Sequence, residues 1–298
     1  CLKKAGLSIG NAYVSAVTLT SILLGTVFFS YLFELYLGLK QYSTPEEILI
    51  HIAPVGWVLV GLSMVELLAT FGVRFYATKF SEVKLSIQKL ITLHYLMSNI
   101  RAIKGNQIIW FSIWGTAIFW GMSQNLVAVI PSLAKANLGV QSPLMVNAML
   151  ALSVIGIMVG AYLSARKSIN SVKVNNIYTG STTITVCAIL VPIVSALGFI
   201  PNSTALIIVS TLILLFGVGA GMMLVPLNAL IQAHSAKDGL GNVLAGKNWI
   251  QNMAMIGLLL LTVLLAKSNV SSVYILYLNA LIAVVGFTVV LKRLKAIL

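Results

Sequence analysis

Two pairs of amides carry a spacing that can do chemistry. Asn228 and Gln232 in VPLNALIQ (225–232) lie four residues apart, as do Asn248 and Asn252 in GKNWIQN (246–252). Residues four apart share a face of a helix. Gln251 stands beside the second pair, and Lys247 lies one turn before it. The two helices are joined by the short loop AHSAKDGLG (233–241). Facing one another, these amides and the ammonium can hold a polar group by hydrogen bonds and charge, or can bond to each other and close that end of the helices. Pro226 lacks an N–H, so the carbonyl of Met222 loses its helical partner and the helix is expected to bend there. Gly217, Gly219 and Gly221 precede it and predict close packing with hinge freedom.

Other polar residues lie within apolar runs. Glu66 sits in VGLSMVELLATFGVRFY (60–76), near the middle of its run. A carboxylate at mid-bilayer costs about 2.5–3.5 kcal/mol on insertion scales, so it is a substrate-path and proton-carrier candidate; its alternative is a structural hydrogen bond to a neighbouring helix. Gln124 and Asn125 are adjacent, about 100° apart on a helix, so one of the two is expected to face a cavity. For that pair the equal alternative is an interhelical hydrogen bond worth about 0.6–2 kcal/mol, and for Asn147 such a bond is the favoured reading. Glu34 is read as a solvated charge at a helix end. Catalysis finds no support. His51, His94 and His234 lie in separate segments without metal-ligand spacing, no cofactor motif is present, and the two cysteines suggest neither a disulfide framework nor a metal site. The chain is read as a non-enzyme with no cofactor.

The elements that must position these residues follow from composition. The 298 residues are 59% hydrophobic and 8% charged, with a mean hydropathy of +1.01, whereas soluble domains carry roughly 25% charged residues. A bilayer core requires about 20 predominantly apolar residues per helix. Eight segments reach that length, at 12–37, 53–76, 108–131, 143–165, 175–199, 204–232, 241–266 and 271–291. They read as helices because lipid offers no partner to free backbone groups. The alternation of a β-barrel is missing. The fold class is an all-α polytopic membrane protein.

The net charge of +13 does not point to nucleic acid, because its distribution is that of membrane topology. With the N-terminus inside, all nineteen Lys and Arg fall in cytoplasmic segments except Lys40, Lys135 and Lys267. That bias is the positive-inside rule, and eight spans place both termini of this stretch in the cytoplasm. The stretch 77–107 mixes apolar and basic positions, which suggests an amphipathic helix on anionic lipid or a solvated linker.

Two helices precede that linker and six follow it. Six helices after a basic loop match the second half of the major facilitator superfamily, built from 3+3 inverted repeats. GAYLSARKSINSVKVNN (160–176) is similar to the degenerate second-half copy of that superfamily's signature loop. The division expected is 1–76, the last two helices of the N-terminal bundle; 77–107, the linker; and 108–298, a C-terminal six-helix bundle.

FSIWGTAIFWG (111–121), MVNAMLALSVIGIMVGAYLSA (145–165) and VPLNALIQ followed by GNVLAGKNWIQNMAMIGLLLLTVLLA (241–266) resemble, in order and spacing, the lysophospholipid transporters of Gram-negative inner membranes. SILLG (21–25) with Glu34 is similar to that family's fifth helix. The resemblance implies a flippase, N-terminally truncated here by four helices. It would carry lysophospholipids, chiefly lysophosphatidylethanolamine, to the cytoplasmic leaflet of the bacterial inner membrane. Its implied partners are membrane lipids and an acyltransferase with acyl-carrier-protein synthetase activity. Asn228, Gln232, Lys247, Asn248, Gln251 and Asn252 would then meet a zwitterionic headgroup. One departure stands out: some members carry an arginine shortly after the FWG element, and here MSQNLVAVIPSLAK (122–135) has none. The rival readings are an exporter of drugs or metabolites on the same fold, and a non-transporting scaffold or inert fragment.

Overall fold

The computed structural model describes residues 7–37, 44–72, 86–167, 174–236 and 239–298, and every regular element among them is an α-helix. The order is α1 (Leu7–Leu37), α2 (Pro45–Thr70), α3 (Ile87–Ile91), α4 (His94–Lys104), α5 (Gln107–Asn137), α6 (Pro143–Lys167), α7 (Asn175–Ala196), α8 (Asn202–His234), α9 (Leu240–Lys267) and α10 (Ser272–Ile297). Among the described residues seven helices, α2 and α5 to α10, are long and apolar enough to cross a membrane, and α1 adds the shorter apolar stretch Thr20–Tyr36. The chain is a multi-pass membrane protein.

Local chemistry explains two boundaries that differ from the expected ones. The second span was expected to begin at 53, but α2 starts at Pro45. Thr44 caps it by accepting a hydrogen bond from the Glu47 amide at 3.3 Å, with proline in the first turn and Glu46 and Glu47 against the positive end of the dipole. The third span was expected to stop at Pro131, yet α5 continues to Asn137. Pro131 removes a single rung, to the carbonyl of Val127, and both residues lie on the exposed face of the helix. The start of α5 is fixed by Asn106, whose Oδ1 accepts from the amides of Ile108 at 3.0 Å and Ile109 at 3.3 Å.

The bundle is organised by two helices. α8 packs between α6 and α7, and α5 packs against α9 and α10. Thus the first helix of each consecutive triplet rests on the second and third helices of the other. α10 also packs on α7, α5 touches α8, and α1 lies against α6 and α8, while α2 packs chiefly on α1. The main core joins Phe119, Met122 and Ile130 of α5 to Ile213, Met223 and Leu227 of α8 and to the buried faces of α6, α7 and α10. A second core gathers Ile103 of α4 with Ile109, Ile113, Ile231, Val243 and Ile250. Of the expected amphipathic linker, residues 77–85 lie outside the described residues. α4 buries Ile103 completely in the bundle and leaves Arg101 and Lys104 exposed, with Lys104 Nζ 5.4 Å from the Trp110 ring.

The tightest seam is α6 against α8. Gly156 and Gly160 on α6, and Gly217 and Gly221 on α8, are each spaced by three residues, the small-xxx-small pattern that lets membrane helices approach closely. A Cβ at Gly156 would run into the carbonyl oxygen of Leu214, and one at Gly160 into that of Val218. In return, a Cβ at Gly217 or Gly221 would strike the carbonyl oxygens of Ser153 and Ile157. Gly219, half a turn away, faces α7 instead, against the carbonyl oxygen of Gly180. The alternating glycines of α8 therefore serve two opposite neighbours.

Candidate functional site

At the end of the bundle that holds α4, the described helices enclose a cleft of about 230 Å³. One wall is uncharged and mostly apolar and comes from α1, through Val14, Thr18 and Ile22, with Trp120 of α5 also in the lining. The other carries Asn228 of α8 and Lys247 and Gln251 of α9. α8 and α9 do not pack along their length, so Lys247 bridges a gap: its Nζ donates to Asn228 Oδ1 at 2.6 Å. Gln251 is only 8% exposed, and its Nε2 has no hydrogen-bond partner.

The expected pairing across α8 and α9 is met by a neighbouring face of α9. Lys247 and Gln251, also four apart, line the cleft with Asn228, whereas Asn248 and Asn252 are exposed. One position along a helix turns a side chain by about 100°, which separates the two pairs. Gln232 is half-buried one turn beyond Asn228. Glu66 and Glu34 are exposed on α2 and α1, and neither lines the cleft.

Of the adjacent amides in α5, Asn125 is buried and Gln124 half-buried. Thr262 Oγ1 of α9 lies 2.7 Å from Asn125 Oδ1 and 2.8 Å from the carbonyl of Leu258, so its single proton is shared between them. Thr262→Val should therefore lower stability by about 0.6–2 kcal/mol, read as the melting temperature in detergent; a variant that melts with the wild type would show the bond to be idle. Asn147 Nδ2 donates to Ser30 Oγ of α1 at 2.8 Å, an interhelical bond at the α1–α6 seam.

VPLNALIQ sits within one continuous helix, since α8 runs from Asn202 to His234 through Pro226. The carbonyl of Met222, left without its rung, accepts a hydrogen bond from Ser164 Oγ of α6 at 3.4 Å. Ser164 in turn accepts from Asn176 Nδ2 of α7 at 3.1 Å. Sequence reasoning located the orphan carbonyl but not its partners, although Ser164 stands inside the glycine-then-basic stretch singled out above. Residues 168–173 of that stretch lie outside the described residues. Gly156 and Gly160 were also missed, and their three-residue interval was the available signal. The α1 wall gave none, because an apolar residue facing a cavity reads the same as one facing lipid. Among the described residues no group of three or more His, Cys, Asp or Glu comes together to hold a metal.

No family model and no solved structure matches the chain. Curated relatives do. The lysophospholipid transporter LplT of Salmonella arizonae is 32% identical over 169 residues, which cover 54% of this chain and 39% of the relative. The proteins of the same name from Salmonella paratyphi B and Salmonella newport are 34% identical over 150 residues, 49% of this chain and 34% of each relative. The matched stretch thus spans well under half the length of these relatives. Over about half of its length the chain is similar, at 32 to 34% identity, to proteins named as lysophospholipid transporters.

Proposed function

We propose that this chain is part of a transporter that moves lysophospholipids, chiefly lysophosphatidylethanolamine, from the outer to the cytoplasmic leaflet of the bacterial inner membrane. The observation that carries the reading is its relationship to proteins named as lysophospholipid transporters. The cleft supports it. Polar donors on one wall and apolar side chains on the other suit a molecule that is polar at one end and greasy along the rest. The exchange of partners between α5–α7 and α8–α10 supports reading these six helices as the paired three-helix repeats of a major facilitator half. In this reading both termini of the stretch face the cytoplasm, α1 and α2 belong to the other half, and α3 and α4 to the linker. Gln124, Gln232, Asn248, Asn252 and Glu66 remain proposed contributors to the path on other faces. The delivered lysophospholipid would be reacylated by an acyltransferase with acyl-carrier-protein synthetase activity.

The test is uptake of labelled lysophosphatidylethanolamine by spheroplasts expressing the full-length gene. Accumulation above vector is expected. No accumulation despite confirmed expression in the membrane would overturn the proposal.

A further inference from the structure

We infer that Lys247 and Gln251 form a phosphate subsite in the cleft between α1, α8 and α9, which takes the phosphodiester of a single-chain lipid while the chain lies along the α1 wall. The inference rests on the transport reading for the class of lipid and on the geometry for everything else.

Three observations carry it. Lys247 lies within a membrane-spanning helix, half-buried, and its bond to Asn228 uses one of the three donors on Nζ. An ammonium within a bilayer is retained where a counter-charge or function compensates it. Among the described residues that line the cleft there is no Asp or Glu, so the protein surrounds this cation with a neutral amide and apolar side chains. Gln251, more than nine-tenths buried and lining the same cleft one turn away, holds its Nε2 without a partner. A buried amide donor left unpaired is costly; Nε2 is closed to solvent as it stands, and a turn of the terminal amide brings it to an acceptor in the cleft.

The two groups are complementary in kind. Both Nζ and Nε2 only donate, which matches a group that only accepts and carries negative charge, and a phosphodiester is such a group. Asn228 holds the long lysine stem in place through Oδ1, so part of the cost of ordering Lys247 is met before a ligand arrives. Opposite them, Val14, Thr18 and Ile22 offer no charged group. The ligand is thus an anion tied to an apolar body and not a free ion. The cleft lining also provides no carboxylate for an ammonium on the headgroup, so recognition rests on the phosphate.

The experiment uses the full-length protein in a maltoside detergent with three probes: lysophosphatidylethanolamine, a monoacylglycerol of the same chain length, and inorganic phosphate. Lys247→Met should weaken binding of the lysophospholipid by about tenfold or more, as loss of a charge-assisted hydrogen bond does. Gln251→Leu should weaken it several-fold, and Lys247→Arg should stay close to wild type. Binding of the monoacylglycerol should be the same in all variants, which reports that the cleft is folded. Inorganic phosphate at millimolar concentration should not displace the lipid.

Lysophospholipid binding unchanged in Lys247→Met would overturn the subsite, as would an equal loss of both lipids in that variant. Displacement by inorganic phosphate would overturn the lipid as occupant. Uptake separates the two proposals. Wild-type uptake by Lys247→Met removes the subsite and leaves transport standing. Lys247-dependent binding without uptake by the wild type leaves the subsite standing and removes transport.

Discussion

Gly160→Leu is expected to leave no folded protein: after detergent extraction the variant should give no monodisperse size-exclusion peak, while Gly257→Leu should elute and melt like the wild type. The reason is what a side chain would meet. At Gly160 the first atoms in its path are the carbonyl oxygen of Val218 and the amide of Met222. These are backbone atoms and cannot swing aside as a side chain can. Overpacking a core costs typically about 1–3 kcal/mol when neighbours can repack; with backbone on both sides of the seam the loss should lie at or beyond the upper end. Gly257 looks into open space, so a leucine there only exchanges one lipid-facing surface for another. A Gly160→Leu protein with the wild-type profile would mean that α6 and α8 do not approach as described.

The second large effect concerns the orphan carbonyl in α8. Ser164→Ala removes the donor to Met222 and the acceptor of Asn176 in one step. Ser164 is fully buried and Asn176 is 5% exposed, so little water can replace what is lost. Leaving a buried polar group unpaired costs about 1–3 kcal/mol. Pro226→Ala returns an N–H to the helix at the position that bonds Met222, so Ser164→Ala should cost less in that background. The melting temperatures of the four proteins in this cycle read the coupling directly. Strict additivity would show that Ser164 does not serve the carbonyl that proline left open.

Much of the framework could be read from the chain because it follows from length and polarity. The runs that become α5 to α10 are each too long and too apolar for a soluble helix, and the charges mark their ends. Where boundaries slipped, a local device outweighed hydropathy: Thr44 with Pro45 and Glu47 starts α2 before its apolar run begins, and Pro131 fails to end α5 because only one rung is lost. The site was legible by residue type more than by direction. Asn228 and Lys247 were expected to meet and lie 2.6 Å apart. The choice between Lys247–Gln251 and Asn248–Asn252 was not available, because polar residues occupy adjacent faces of α9 and only packing decides which face turns inward. The α1 wall was silent for a related reason, since hydropathy records that a residue avoids water and not what it meets instead.

The two-sided seating of the α8 glycines has a mechanical consequence. A rod keyed into grooves on opposite flanks cannot spin: a turn of one residue would carry Val218 or Met222 into the backbone of α6 or α7. Nor can it slide by less than a full turn without the same collision. α6, α7 and α8 as far as Met222 are therefore keyed together as one body. The last turns, which carry Asn228, are seated beyond the gap in the ladder at Pro226 by Leu227 and Leu230 in the main core and Ile231 in the second.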